Sequence, residues 1–119
     1  MKIQESAENY LETIFILEKK LNKVRSIDVV NELNYSKPSV SVAMKNLKTH
    51  GYILIDDEGY ITLTQKGLEI AEKMYERHTL LSNWLISIGV SPETAAFDAC
   101  RIEHVISEES FNAIKKQTR

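Results

Sequence analysis

Apolar residues along this chain recur mostly at intervals of three and four, with one stretch in the middle where the spacing changes. Tyr10, Ile14, Leu17 and Leu21, widened by Leu11 and Phe15, define a first helix opening at Ser6. A short second helix from Ser26 to Leu33 is expected to bury Ile27, Val30 and Leu33. Ser36-Lys37-Pro38-Ser39 combines a capping hydroxyl with a proline harmless in a first turn, so a third helix begins there. It runs to His50 on a buried stripe of Val40, Ala43, Met44 and Leu47, with Gly51 as its stop. Tyr52-Ile53-Leu54-Ile55 and Tyr60-Ile61-Thr62-Leu63 then read as two strands around the turn Asp56-Asp57-Glu58-Gly59. Thr64 caps a long helix from Gln65 to about Ile88, striped by Leu68, Ala71, Met74, Tyr75, His78, Leu81, Trp84, Leu85 and Ile88. Gly67 in its first turn fits a close backbone approach. Ser91-Pro92-Glu93 starts a fifth helix carrying Ala95, Ala96, Ala99, Cys100, Ile102, Glu103, His104 and Ile106. Ser107-Glu108-Glu109 starts a sixth with Phe111 and Ile114 inward, ending in the basic run Lys115–Arg119.

Two short helices on a tight turn, followed by a hairpin, make a winged helix-turn-helix. The expected fold is mainly α: three helices and a two-stranded wing over residues 1–66, then a helical metal-binding and dimerisation region over 67–119. The later helices carry more apolar and small residues than a monomer of this size covers, hence a homodimer with two reading helices on one side.

Charge sharpens that picture. The chain has a formal net charge of −2, which disfavours bulk nonspecific attraction to nucleic acid. Yet from Leu33 to Ile55 there is no acidic residue, while Lys37, Lys45, Lys48 and His50 fall inside. Such a gap is the footprint of contact with double-stranded DNA phosphates, with Lys37, Lys45 and Lys48 as the gripping residues. Ser36, Pro38, Ser39, Ser41 and Val42 should face the major groove, their methyl and hydroxyl groups favouring thymine contacts and shape readout. The acidic wing tip would repel phosphate and add little affinity.

Composition removes other classes. At 119 residues, 43% hydrophobic and 27% charged, the chain reads as a soluble globular protein with no apolar run long enough for a membrane span. Its first residues carry no signal-peptide core, which implies a cytoplasmic protein. A single cysteine excludes an intrachain disulfide. With no His-Glu-x-x-His run and no glycine-rich phosphate loop, an enzyme is not expected.

The remaining chemistry is a set of metal-ligating side chains. Cys100, Glu103 and His104 stand at i, i+3 and i+4, which on a helix would aim sulfur, oxygen and nitrogen at one point. The first helix offers Asn9 and Glu12 and the long helix offers His78. Three helices supplying mixed donors point to a divalent transition-metal site, since the carboxylates and a thiolate would otherwise repel or take up protons.

The order of the parts, with Arg77-His78, Ala99-Cys100-Arg101-Ile102-Glu103-His104-Val105, the first-helix segment Glu8–Ile14 and Lys37-Pro38-Ser39-Val40-Ser41, resembles the diphtheria-toxin-repressor family of metal-dependent transcriptional regulators. The resemblance covers essentially the whole chain. It implies a repressor of metal-uptake genes activated by Fe(II) or Mn(II). Cys100, Glu103 and His104 resemble primary-site ligands of the iron-responsive members, Glu12 resembles the first-helix carboxylate of manganese-type members, and His78 matches a histidine used by both. Asn9 departs from the Met or Asp usual there. Ser82 and Ala96 stand where the iron branch has further donors, implying a weak or absent ancillary site. The chain also ends before the SH3-like domain of the iron branch. With a thiolate among the donors, Fe(II) is expected first and Mn(II) next. The competing possibilities are a metal-independent winged-helix regulator sensing thiol oxidation or a small molecule through Cys100, and a protein-binding winged helix.

Overall fold

The computed structural model describes residues 5–118. Its elements are α1 (Glu5–Leu21), α2 (Ser26–Leu33), α3 (Lys37–Thr49), β1 (Ile53–Ile55), β2 (Ile61–Leu63), α4 (Gln65–Ser87), α5 (Pro92–Ile102) and α6 (Glu108–Gln117). The chain forms two compact units, divided within α4 between Glu72 and Lys73. Met1–Gln4 and Arg119, the last residue of the basic run, lie outside the described residues.

In the first unit the core gathers Leu11, Ile14 and Leu17 of α1, Val29 of α2, and Val40, Met44 and Leu47 of α3. Val24, Ile53 and Ile61 close it from the sheet side. Ser36 caps α3, its Oγ accepting the Ser39 N–H at 3.2 Å, and Pro38 stands in the first turn. α2 departs from its sequence reading: Val29 is fully buried, Ile27 is exposed, and Val30 and Leu33 are only partly covered. Its N-cap is Arg25 rather than Ser26, with Asp28 Oδ2 accepting the Arg25 N–H at 2.8 Å. In two helical turns, spacing alone does not fix which flank of the stripe meets the core.

β1 and β2 pair antiparallel with Ile53 opposite Leu63, Leu54 opposite Thr62 and Ile55 opposite Ile61. Asp56 Oδ1 organises the turn, accepting the N–H groups of Glu58 and Tyr60 at 2.9 Å each. A bridge unseen in the sequence extends the sheet, as Ile61 N–H donates to the Val24 carbonyl at 2.7 Å. Thr64 caps α4 through the Gly67 N–H. A Cβ at Gly67 would collide with the Tyr52 carbonyl oxygen, so the wing and the start of α4 meet only because that position is glycine.

In the second unit, Leu81 of α4, Ala99 of α5 and Phe111 of α6 form the buried centre, flanked by Leu80, Trp84, Ile102, Ile106 and Ile114. Tyr75 and Ile88, expected in the α4 stripe, are exposed. Ser91 and Ser107 cap α5 and α6 as their sequences indicate. Two ion pairs tie α4 to α6: Lys73 to Glu108 and Lys115 to Glu76, each at 3.1 Å. The Glu108 carboxyl, hydrogen-bonded by Lys73, is held below the usual carboxylate range. α5 stops at Ile102 instead of continuing through Ile106. No described helix is long and apolar enough to cross a membrane.

Candidate metal centre and nucleic-acid interface

The end of α5 is where the donors of the second unit meet. Glu103 is its C-cap, still helical at φ −55° and ψ −28°, with its N–H bonded to the Ala99 carbonyl. The N–H groups of Val105 and Ile106 then both return to the Ile102 carbonyl, so the chain turns away just beyond His104. This turn leaves the Glu103 side chain fully buried and the His104 side chain nearly so.

Glu103 stands between two imidazoles. His78 Nδ1, from α4, lies 3.7 Å from Glu103 Oε2, and His104 Nε2 lies 3.5 Å from Oε1. Those separations are longer than hydrogen bonds. Each imidazole nitrogen faces a different oxygen of the one carboxylate. His78 Nδ1 is buried and makes no hydrogen bond to any described residue. A buried carboxylate flanked by imidazole nitrogens is a donor set that suits a divalent transition ion.

Arg77, which had no role among the sequence candidates, is the residue that holds this turn. Its guanidinium is buried, and Nη1 donates to the carbonyl oxygens of Glu103 at 3.0 Å and Ile106 at 2.9 Å, with the Phe111 ring 5.5 Å away. An arginine interrupting an apolar helical stripe, next to a candidate ligand, was the available signal. It clamps the segment that carries Glu103 and His104.

Glu12 is buried on α1 among Leu11, Thr13 and Ile14, and Asn9 is half-buried there, its carbonyl accepting the Thr13 hydroxyl at 2.8 Å. Cys100 is exposed on α5. Of the three residues expected on one helical face, Glu103 and His104 have buried side chains just beyond the end of α5, and Cys100, within it, is exposed.

Ser36, Lys37, Pro38, Ser39, Ser41, Val42, Lys45 and Lys48 are all exposed, and Val42, an apolar side chain with no core to join, is 60% exposed. Ser36 Oγ also donates to Ser39 Oγ at 2.8 Å, fixing both hydroxyls at the helix start. No described carboxylate lies within 4.0 Å of Lys37, Lys45 or Lys48. At the far end, His50 Nδ1 lies 2.8 Å from the Asn46 carbonyl, which can only accept, so that nitrogen carries the proton.

Comparison with known proteins agrees with both halves. Residues 2–65 match the family model of the iron-dependent repressor N-terminal DNA-binding domain, and residues 64–119 match that of the iron-dependent repressor metal-binding and dimerisation domain. The transcriptional regulator MntR of Escherichia coli is 34% identical over 116 residues, covering 98% of this chain and 75% of its own. An uncharacterised HTH-type transcriptional regulator of Methanocaldococcus jannaschii is 31% identical, with 95% of this chain and 92% of that protein covered. A manganese-dependent transcriptional repressor solved in complex with manganese superposes with a TM-score of 0.84 at 26% identity, covering 93% of this chain and 51% of that one. The chain spans about half the length of most of the solved structures it matches. It belongs to the iron-dependent repressor family, whose members are metal-dependent, DNA-binding transcriptional regulators.

Proposed function

We propose that this chain is a cytoplasmic, homodimeric repressor that binds an operator duplex when a divalent ion occupies the centre built on Glu103. The observation that carries this reading is the fully buried Glu103 carboxylate flanked by His78 and His104, in a chain whose α3 offers an exposed, acid-free surface. His78, Glu103 and His104 would be ligands, with Glu12 and Asn9 of α1 and Cys100 of α5 as the further donors. When bound, the ion would supply positive charge that offsets buried carboxylates. Ser39, Ser41 and Val42 read the groove, while Lys37, Lys45 and Lys48 hold phosphates.

The preferred metal is the point on which this proposal departs from the sequence reading. The expectation of Fe(II) rests on a Cys100 thiolate among the donors, and Cys100 is exposed. The donors left in the interior are oxygen and nitrogen, which suit Mn(II) at least as well, and the curated relative of E. coli carries the name of a manganese regulator family, MntR. We therefore place Mn(II) first and Fe(II) second.

The test is fluorescence anisotropy of a duplex selected from a random pool, titrated with full-length chain with and without Mn(II) or anaerobic Fe(II). Metal should strengthen binding by ten-fold or more, and peroxide alone should not reproduce or replace that response. Binding that ignores metal but is abolished by peroxide would favour the thiol-sensing alternative.

A further inference from the structure

The base of the wing holds two cations that the reading above does not use. Val24 is buried and bridges to Ile61, so its neighbours Lys23 and Arg25 alternate outward from the core and are exposed. Both converge on one ring: Lys23 Nζ lies 4.9 Å and Arg25 Cζ 4.4 Å from the Tyr60 centroid. No described carboxylate lies within 4.0 Å of either charge. The nearby Asp28 carboxylate accepts the backbone N–H of Arg25 instead. Two like charges held against one aromatic ring repel each other, and the ring offsets this only in part. The arrangement is therefore complementary to an anion.

We propose that Lys23, Arg25 and Tyr60 form a second phosphate-gripping patch on the duplex, separate from α3. Resting on the DNA-binding reading, the assignment follows from position. Arg25 is the N-cap of α2, the first helix of the helix-turn-helix pair, and that helix crosses the DNA backbone when its partner enters the major groove. α2 and α3 share one core through Val29, Val40 and Met44, so the patch and the reading helix move together. The wing thus binds through its base rather than its tip, where Asp56, Asp57 and Glu58 would repel phosphate. Tyr60 is a positioning residue, holding two flexible cations toward one anionic strand before contact and lowering the ordering cost of binding.

The experiment is salt-dependent anisotropy on a duplex that Mn(II)-loaded wild-type chain selects from a random pool. Lys23→Ala/Arg25→Ala should weaken binding about ten- to hundred-fold at 0.1 M salt and reduce the slope of log affinity against log salt by about 2, equally for selected and unrelated duplexes. Tyr60→Leu, which keeps both charges, should weaken binding several-fold with little change in slope. Lys23→Glu, at an exposed position, provides a variant that does not depend on the fold tolerating the double change, and it should weaken binding further than Lys23→Ala. Wild-type affinity and slope in the double variant would overturn the patch while leaving DNA binding intact, as would a loss confined to one sequence. Failure of the wild-type chain to select any duplex would instead overturn the DNA-binding reading, and the patch with it.

Discussion

The carbonyl oxygen of Glu103 is held at 3.0 Å by the buried guanidinium of Arg77, twenty-six positions earlier in the chain. The same Nη1 takes the Ile106 carbonyl, so one side chain on α4 fixes both ends of the turn that presents Glu103 and His104. A helix C-terminus leaves carbonyls without intrahelical partners, and here a buried cation satisfies them. The preorganisation of the candidate metal centre is thus built by a residue that need not touch the ion.

Arg77→Met should cost the apo chain on the order of 3 kcal/mol, because it strands buried carbonyls as well as removing a charged hydrogen-bond donor. Urea unfolding reads that loss, and calorimetry should show weaker Mn(II) binding as well. Unchanged unfolding midpoint and unchanged metal affinity would mean that the clamp contributes nothing.

Gly67→Ala, normally a helix-stabilising change, should destabilise the first unit by about 1–3 kcal/mol, because the added methyl meets the Tyr52 carbonyl. Thermal unfolding followed by circular dichroism checks the sign. A raised melting temperature would show that the wing is not anchored against α4 as described.

Glu18 gives the first unit a pH signature. Burial raises its carboxyl above the ordinary 4.5, the Leu63 N–H opposing the shift, and Oε1 has no hydrogen-bond partner among the described residues. A carboxyl whose folded pKa is raised binds more protons in the native state, so its contribution to stability is present at acid pH. That contribution is lost as pH rises from 4.5 through the raised value. Glu18→Gln should therefore gain stability relative to wild type across that window and show no relative gain below it. Urea midpoints collected at several pH values test this, and a difference that grew towards acid pH would have the wrong sign.

Lys45→Ala should weaken binding to every duplex by a similar factor and lower the salt slope by about 1, as loss of one phosphate contact requires. Val42→Ala should instead change which sequences are preferred, because an apolar side chain that exposed has only a thymine methyl or a sugar edge to gain. Competition binding with variant duplexes separates the two patterns. A sequence-selective loss at Lys45 would contradict its placement on the backbone.

Much of this was legible in the sequence where chemistry is local. Ser36 with Pro38, Ser91 with Pro92 and Ser107 announced their helices because a cap and a first-turn proline act within a few residues, and Gly67 announced a close approach. His78, Glu103 and His104 were nameable as donors from type and spacing. What escaped depends on tertiary contacts. Val24 pairs with Ile61 across a gap in sequence, α2 is too short for its period to choose between Ile27 and Val29, and α5 has no glycine or proline to mark its end. That end coincides with carbonyls claimed by Arg77 from another helix, a contact that no local signal in α5 announces.

The most direct measurement is Mn(II) binding by calorimetry on the full-length chain, wild type beside Glu103→Gln, with duplex binding followed in parallel. Wild type should bind Mn(II), and the glutamine variant should lose at least ten-fold in metal affinity together with the metal-dependent gain in DNA binding, its fold retained by circular dichroism. Metal affinity and metal-stimulated DNA binding both unchanged in Glu103→Gln would contradict a sensor built on that buried carboxylate.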